Sequence, residues 1–417
     1  GNPTPGFLCT FTIDSVAHTI IAHIRADSAS GEAVWISATG GTWSTAANWN
    51  FSPVSAAGNG ITFSTLLASA GTVTLDTPFT LGRMLFNNVN SYTLSGAGSL
   101  AFDNGSSAAS MMLSNGSHTV SVPMTLASSL IATVSSVSST LLITSPISGP
   151  GALVKTGAGD LELTATNTYS GGTILSQGNI TVRQSGVTFG TGPITLAASL
   201  GAETGRLRNR SAALLTITND VILTASDASI EANTAPVLVT GAFDFNGSGS
   251  FMKAGPEELT LTGLTQESGN YKLNIRTGSV RIGSGGRFLI NNAAIRDTIY
   301  LSDGTSTPRA FIVDAGAEVI AGGILTGSAP SNTIAVNGGS LTLTGSGNES
   351  GLIRQVADTN GVDRIIVNSG TFTVTPGRWF SMGVRGGGAE LLVNDGTATL
   401  GRLSLGVRDD TGFASAG

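Results

Sequence analysis

Carboxyl groups are the first side chains in this sequence that could do chemistry. Glycoside hydrolysis needs two of them about 5–10 Å apart on one face of a site. The adjacent pairs Glu257-Glu258 and Asp409-Asp410 would point to opposite faces if they lie in strands, because side chains alternate along a strand. The other acidic residues stand mostly singly, many of them in turns. We therefore interpret them as solvated turn charges, and we predict no catalytic residues and no enzymatic activity.

The three histidines indicate neither a metal site nor a catalytic triad. His18 and His23 are five residues apart, which places them on opposite faces of a strand, so joint metal ligation is not expected. His118 stands alone in the segment NGSHT, and the chain has no G-x-S-x-G elbow in a strand-to-helix context. The sequence therefore predicts no metal and no cofactor.

A recurring amide position offers a different kind of site. Asn337, Asn368 and Asn394 each precede a small residue and a glycine at the same turn of successive segments, and Asp314 occupies the equivalent place before them. Amides stacked in neighbouring turns can hydrogen-bond one another along the stack. We expect an Asn/Asp ladder here. Calcium binding is the weaker alternative, because the G-G-x-G-x-D signature is absent.

The segment Gly149–Val182 indicates the elements that must position these residues. It contains short apolar pieces with period-two alternation, separated by glycine-rich corners, and a degenerate copy follows at 247–282. A segment of about thirty residues cannot bury its own apolar face, so the copies must stack. The positions that define the repeat are Lys155, Gly157, Leu161, Leu163, Gly171 and Gly178 in the first copy, and Lys253, Gly255, Leu259 and Leu261 in the second.

The alternation also predicts which side chains of the first copy are buried. Leu161, Leu163, Ile180 and Val182 are expected to face the interior, while Glu162 and Thr181 are expected outside.

The first copy carries the pattern L-V-K-T-G-A-G-x-L-x-L-T-x-x-N-T-Y-S-G-G-T-x-L-S-x-G-x-I-x-V. This pattern resembles the autotransporter-associated β-strand repeat of bacterial surface and secreted passenger proteins. The opening GGTWSTAANWN at 40–50 and the later VNxG and LGVRDD segments extend the resemblance from Trp35 towards the C-terminus, although the second copy has lost its N-T-Y and G-G-T elements. The resemblance implies a right-handed parallel β-helix exported to the cell surface, and it implies no particular ligand or reaction.

The composition is typical of a long all-β solenoid. Among 417 residues, 57 are glycine and 11% are charged, whereas ordinary globular chains contain about 25% charged residues. If one coil takes roughly 22–25 residues, we expect an all-β, right-handed parallel β-helix of roughly 15–18 coils. The net charge of −6 without a basic cluster argues against nucleic acid. The chain also has no apolar run of about 18 residues, so this region is not expected to span a membrane.

Residues 1–30 differ from the repeats of 31–417, whose later turns run from 311 to 417. Two strand-like pieces are predicted there, Phe7–Ile13 and Val16–Ile24. They form either a cap on the open end of the solenoid or an arm that pairs with a neighbouring subunit. The apolar positions of this candidate assembly arm are Phe7, Cys9, Phe11, Ile13, Val16, Ile20 and Ile24.

Three tryptophans, Trp35, Trp43 and Trp49, precede the first clear repeats. They are expected to plug the first coil, with a sugar-stacking platform as the alternative.

Together these observations predict a non-enzymatic extracellular structural protein of bacterial origin, at the cell surface or secreted. Its expected form is a rod-like subunit of a surface fibre, stalk or filament that assembles head to tail. The alternatives are a monomeric autotransporter passenger or adhesin fragment and, third, a polysaccharide-active β-helix enzyme. The final segment LGVRDDTGFASAG lacks the next strand of the pattern, so we expect either a longer parent protein or another subunit at that end. The expected partners are copies of the chain itself, or components of the cell surface or extracellular matrix.

Overall fold

The computed structural model is all-β, with parallel strands stacked as a β-solenoid. Two compact units make up the chain, the first from residues 1–161 and 167–171, the second from 162–166 and 172–417. No helix among the described residues is long and apolar enough to cross a membrane. The structure describes residues 7–14, 19–26, 32–198, 205–225, 228–246, 248–267, 270–290, 298–301, 307–326, 331–345, 353–355, 362–377, 379–382 and 388–405.

Unit 1 contains three parallel sheets built from successive turns of the chain. One 3₁₀ turn, Ala46–Asn48, interrupts its first turn. Sheet I consists of β3 (Ala33–Trp35), β5 (Gly60–Phe63), β8 (Arg83–Asn87), β11 (Ala109–Asn115), β14 (Leu130–Val134) and β17 (Leu153–Thr156). Sheet II consists of β4 (Gly40–Thr42), β6 (Gly71–Thr74), β9 (Tyr92–Ser95), β12 (His118–Val120) and β15 (Thr140–Ile143). Sheet III consists of β7 (Phe79–Leu81), β10 (Leu100–Phe102), β13 (Met124–Leu126) and β16 (Ile147–Ser148).

The N-terminal segment forms a separate antiparallel pair, β1 (Phe7–Asp14) and β2 (Thr19–Ala26). Both predicted strands are present, although the second begins three residues later than the sequence pattern suggested. Val16 lies outside the described residues.

In sheets I, II and III of unit 1, inward-facing and outward-facing residues alternate along the strands, as strand geometry requires. The first turns are filled by large aromatic rings, among them Trp35, Phe63, Phe86 and Tyr92, all 0% exposed. The Phe63 and Phe86 rings stack with centroids 4.8 Å apart on neighbouring turns. The core of unit 1 is therefore a column of rings and aliphatic side chains that runs across the turns.

Unit 2 also contains three series of parallel strands, and β18 (Asp160–Leu163) lies where the residue ranges of the two units meet. The first series is β20 (Asn179–Val182), β22 (Arg206–Asn209), β25 (Ser229–Ala232), β28 (Ser248–Ala254), β31 (Asn270–Ile275), β34 (Ile299–Leu301), β37 (Ile324–Thr326) and β39 (Ile353–Gln355). The second is β23 (Leu215–Ile217), β26 (Val237–Val239), β29 (Glu258–Leu261), β32 (Ser279–Ile282) and β35 (Ala310–Asp314). The third is β19 (Thr173–Leu175), β21 (Ile194–Leu196), β24 (Val221–Leu223), β27 (Phe243–Phe245), β30 (Leu264–Glu267), β33 (Arg287–Ile290) and β36 (Glu318–Ala321).

The last turns of unit 2 join the second and third series into long strands. These are β38 (Thr333–Leu343), β40 (Val362–Val374) and β42 (Gly388–Thr399), while β41 (Trp379–Met382) pairs with β43 (Arg402–Leu405). The first half of β38 pairs with β35 and its second half with β36, with a register shift between them.

The predicted parallel β-helix is confirmed as a parallel β-solenoid. Sheet II, β18 and the first series of unit 2 together contain 14 strands, close to the roughly 15–18 coils expected. The turns are not uniform. Met111 pairs with Ala132 after 21 residues, whereas Val280 pairs with Phe311 after 31 residues. The spacing therefore varies from turn to turn around the constant coil length assumed from the sequence, and residues 1–31 add no turn among the described strands.

Candidate functional site at the repeat corners

In the first repeat copy a lysine side chain points into the solenoid. Leu153 and Lys155 both face inward from β17, and Lys155 is 0% exposed. Its Nζ donates to the carbonyl oxygens of Thr156 at 2.7 Å and Gly157 at 2.6 Å. Gly157 has φ +72°, and a Cβ added there would lie 2.3 Å from the Val134 oxygen, so the corner requires glycine. The Lys155 amine therefore donates hydrogen bonds to the carbonyl groups of this corner, and the corner can form only because residue 157 is glycine.

The second copy repeats this arrangement in unit 2. Phe251 and Lys253 face inward from β28, and both are 0% exposed. Lys253 Nζ donates to the Gly255 oxygen at 2.6 Å and to the Thr277 oxygen, in the following turn, at 2.9 Å. The lysine thus connects two successive corners.

The other repeat positions lie where the alternation places them, with one exception. Leu161, Leu163, Leu259 and Leu261 are at most 1% exposed. A Cβ at Gly171 would lie 2.4 Å from the Ala152 nitrogen, and Gly178 has φ +72°. The prediction that Thr181 is exposed is wrong, because it is 0% exposed. Its neighbour in register, Arg208, is buried as well, so the outward face of β20 and β22 is covered.

Burial sets the charge of both lysines. It lowers the pKa of Lys155 from 10.5 to about 7, against the opposing attraction of Asp160. It lowers the pKa of Lys253 to about 7 as well, although the carboxylates of Glu257, Glu231 and Glu258 oppose the shift. Burial therefore favours the neutral amine at both positions.

The strand parity of both lysines indicates these buried amines in the sequence itself. Lys155 shares strand parity with Leu153, and Lys253 shares it with Phe251, so both lysines occupy inward positions. The chain contains only one other lysine, Lys272. Lysine at an inward position of both copies would have predicted a buried, hydrogen-bonded amine.

The asparagines of the predicted ladder stack on one another in the last turns of unit 2. Asn394 Nδ2 donates to Asn368 Oδ1 at 2.7 Å, and Asn368 Nδ2 donates to Asn337 Oδ1 at 2.9 Å. Asn368 and Asn394 are exposed. Each amide thus donates towards the preceding turn, and the oxygens that a calcium ion would need already accept hydrogen bonds at Asn337 and Asn368.

Asp314 takes part in an ion-pair network. Arg281 Nη1 donates to Asp314 Oδ1 at 2.7 Å, and Arg281 Nε donates to Glu258 Oε1 at 2.8 Å. These carboxylates raise the pKa of Arg281, with the hydrogen bond to Glu258 as the largest cause. Arg281 therefore ties three successive turns together through side chains on the outward face.

A second charged cluster, which the sequence did not indicate, is almost buried in unit 2. Glu231 Oε2 lies 3.0 Å from Arg206 Nη1 and 3.2 Å from Arg208 Nε, and Asn233 Nδ2 donates to its other oxygen at 2.7 Å. Burial disfavours the Glu231 charge, yet the hydrogen bond from Asn233 and the charges of Arg208 and Arg206 hold its pKa below the ordinary value.

The candidate chemical residues do not converge. Among the described residues, no group of three or more His, Cys, Asp or Glu side chains could hold a metal ion. His118 is 1% exposed; its Nδ1 accepts from the Tyr92 N–H at 3.0 Å, and its Nε2 donates to the Asn115 oxygen at 2.8 Å. Burial lowers its pKa. His23 lies on β2 opposite Thr10, while His18 and Asp409-Asp410 lie outside the described residues.

The three tryptophans fill the first turn of unit 1. They are 0–3% exposed, and the Trp49 ring lies edge-on to Trp35 and Trp43 with both centroid distances 4.9 Å. Trp49 Nε1 donates to the Trp43 oxygen at 2.7 Å. Their burial favours the plug and leaves no ring face free for sugar stacking.

The positions of the candidate assembly arm alternate along the antiparallel pair. In register, Cys9 lies opposite Ile24, Phe11 opposite Ala22, and Ile13 opposite Ile20. Phe7 pairs with Ala26. Whether this pair acts as a cap or as an arm stays a prediction.

Comparison with known proteins places the first repeat in a family. Residues 153–182 match the family model described as the passenger-associated-transport-repeat. No curated protein and no solved structure matches the chain. The chain therefore carries a repeat of the autotransporter passenger type. This repeat and the β-solenoid fold fit an autotransporter passenger domain, a class of secreted or cell-surface bacterial proteins.

Proposed function

We propose that this chain is a non-enzymatic structural segment of an exported bacterial surface protein, a rod-like subunit of a surface fibre, stalk or filament. The observation that carries the proposal is the passenger-type repeat at 153–182, together with parallel strand stacking inside each unit. Stacked turns give a backbone ladder in which each turn contacts only its neighbours, so such a segment resists bending and tolerates variation in its corners.

The ion pairs between turns support a mechanical role. Arg183 pairs with Glu162 at 2.7 Å, and Arg287 pairs with Glu318 at 2.7 Å, each between adjacent turns. An exposed pair such as Arg287 with Glu318 contributes less than about 1 kcal/mol. Their repetition along the turns fits a scaffold better than a single binding site.

Head-to-tail self-association is the finer form of this proposal. Leu392 and Val393 on β42 are 41% and 45% exposed, and β42 pairs in parallel with β40. An exposed strand with apolar side chains is a surface on which another strand can add. The antiparallel pair of residues 7–26 from a second copy is the occupant we propose, and a monomeric passenger is the alternative.

Labelling of intact cells tests the surface location. An antibody against the exposed segment 51–58, which includes Phe51 and Val54, should bind without permeabilisation. External protease should remove the signal. Binding only after permeabilisation would refute the surface location.

Sedimentation and electron microscopy of the purified chain test the assembly. End-to-end polymers that disappear when residues 7–26 are deleted would support the head-to-tail form. If the deletion leaves the assembly state unchanged, that form is refuted while the surface location stands.

A further inference from the structure

Unit 1 has a cleft on the outside of the solenoid wall. It has a volume of about 400 Å³ and opens at the corner between sheets I and II, across three successive turns. Its polar lining consists of Ser91, Asn115, Ser117, Ser136, Ser138 and Ser139.

Unequal corner lengths create the cleft. The corner between β11 and β12 has only two residues, Gly116 and Ser117, whereas four residues join β8 to β9 and five join β14 to β15. The short middle corner is therefore recessed between two longer ones. Gly116 has φ +73°, and an added Cβ would lie 2.1 Å from the Asn88 oxygen, so only glycine allows this close approach.

The lining offers hydrogen bonds without charge. Ser117 Oγ accepts from the Thr140 N–H at 2.9 Å, which leaves its own proton to donate. Asn115 Nδ2 donates to Asn87 Oδ1, which leaves the Asn115 amide oxygen as an acceptor. None of the lining side chains carries a charge. A charged ligand would gain no ion pair here.

Apolar contact is available at the rim. Val89 lines the cleft with 79% of its surface exposed, and Val137, between Ser136 and Ser138, is 60% exposed. A sugar ring combines hydroxyl groups that both donate and accept with an apolar C–H face, which matches this combination of serines, amide and valine.

Further hydroxyl groups lead away from the cleft along sheet II. Ser91 is followed by Thr93 and Ser95 on the same outward face, and Ser117 by Thr119 and Ser121. Thr93 and Thr119 are partners in register on neighbouring strands, which are about 4.8 Å apart. A chain of sugars, rather than a single ring, could follow this face.

We propose that this cleft binds the end of a neutral glycan. Sites for small molecules have volumes of about 300–1,000 Å³, so the cleft accommodates roughly one or two sugar rings. Because no aromatic ring lines it, single-site affinity should be in the millimolar range. Many copies on one cell surface would raise the avidity.

Saturation-transfer NMR on the full 417-residue chain tests the proposal with maltose, cellobiose, lactose and N,N′-diacetylchitobiose, beside sialyllactose as the charged probe. At least one neutral disaccharide should bind, and sialyllactose should bind more weakly. Ser138→Phe, at an exposed rim position, should abolish the signal, while Ser106→Phe, at an exposed corner elsewhere in unit 1, should leave it unchanged.

Asn115→Ala is a second variant that tests the proposal if the phenylalanine of Ser138→Phe disturbs folding. Loss of one neutral hydrogen bond should weaken binding by about fivefold. The proposal is overturned if no neutral disaccharide binds at about 10 mM, if sialyllactose binds as well as the neutral sugars, or if folded Ser138→Phe and Asn115→Ala proteins bind like the wild type.

Discussion

Replacement of Lys155 by methionine tests the balance of forces at the first repeat corner. The carbonyl oxygens of Thr156 and Gly157 favour a charged amine, and burial disfavours it. A pKa lowered from 10.5 to about 7 means that burial outweighs the favourable contacts by about 5 kcal/mol. This difference makes the stability of unit 1 depend on pH.

The sign follows from proton binding. Between pH 7 and 10.5 the folded Lys155 is mostly neutral while the unfolded one is charged, so the unfolded chain binds more protons. The free energy of unfolding should therefore rise with pH in this window and stay level below it. From pH 7 to about pH 9.5 the rise should reach about 3 kcal/mol for this lysine.

Two measurements check this expectation. Because the chain has only three lysines, NMR of lysine-labelled protein gives few signals, and two should titrate near pH 7, assigned with Lys155→Met and Lys253→Met. Urea denaturation followed by tryptophan fluorescence reports unit 1 in a Trp379→Phe background, which keeps only Trp35, Trp43 and Trp49.

The urea concentration at the unfolding midpoint should increase with pH in the wild type, and Lys155→Met should remove that increase. Lys253→Met, in unit 2, is the matched control and should keep the increase. A Lys155 signal still protonated at about pH 9 would refute the reasoning, since the carbonyl oxygens would then outweigh burial.

Three further changes have defined outcomes. Gly255→Ala should lower the free energy of unfolding in urea by about 2–4 kcal/mol, because φ is +80° and the new Cβ would lie 2.2 Å from the Ala232 oxygen. Gly285→Ala is the matched control: φ is +76° but the space is open, so the loss should be about 1 kcal/mol. Equal losses in the two variants would contradict the steric argument. Asn368→Ala breaks two amide hydrogen bonds and should cost about 1 kcal/mol at an exposed site, measured by thermal denaturation; no change would mean that water replaces the ladder. Burial lowers the pKa of His118, so the stability of the folded chain should decrease below about pH 6.5 and level off once the pH falls below the folded pKa. Melting temperatures measured over this pH range should show the decrease in the wild type and not in His118→Phe, which would identify His118 as the group.

The sequence predicted the fold because the relevant information is local. Period-two alternation at Leu161 and Leu163, with glycine at corners such as Gly157, states which side chains face inward and where the chain turns. Copies at 149–182 and 247–282 require stacking, and stacking of short strands leads to a parallel solenoid. These inferences need no knowledge of distant contacts.

The rest could not be predicted because it depends on what lies across the neighbouring turns. Alternation places Thr181 outward, but its exposure is decided by Arg208 and Glu231, which are its successive neighbours in register. The length of each individual turn depends on its corners, which period-two patterns do not specify. The cleft at Gly116 arises because three neighbouring corners differ in length. The sequence of one corner alone therefore does not predict it.

The burial of two of three lysines makes the folded chain selective towards amine-reactive reagents. An acylating reagent needs a neutral, accessible amine, and among the lysines only Lys272 keeps part of its surface in contact with solvent. Unfolding of unit 1 would release Lys155, and unfolding of unit 2 would release Lys253. The number and position of acyl groups found by mass spectrometry would therefore record which unit had opened, so each repeat copy carries its own chemical reporter of folding.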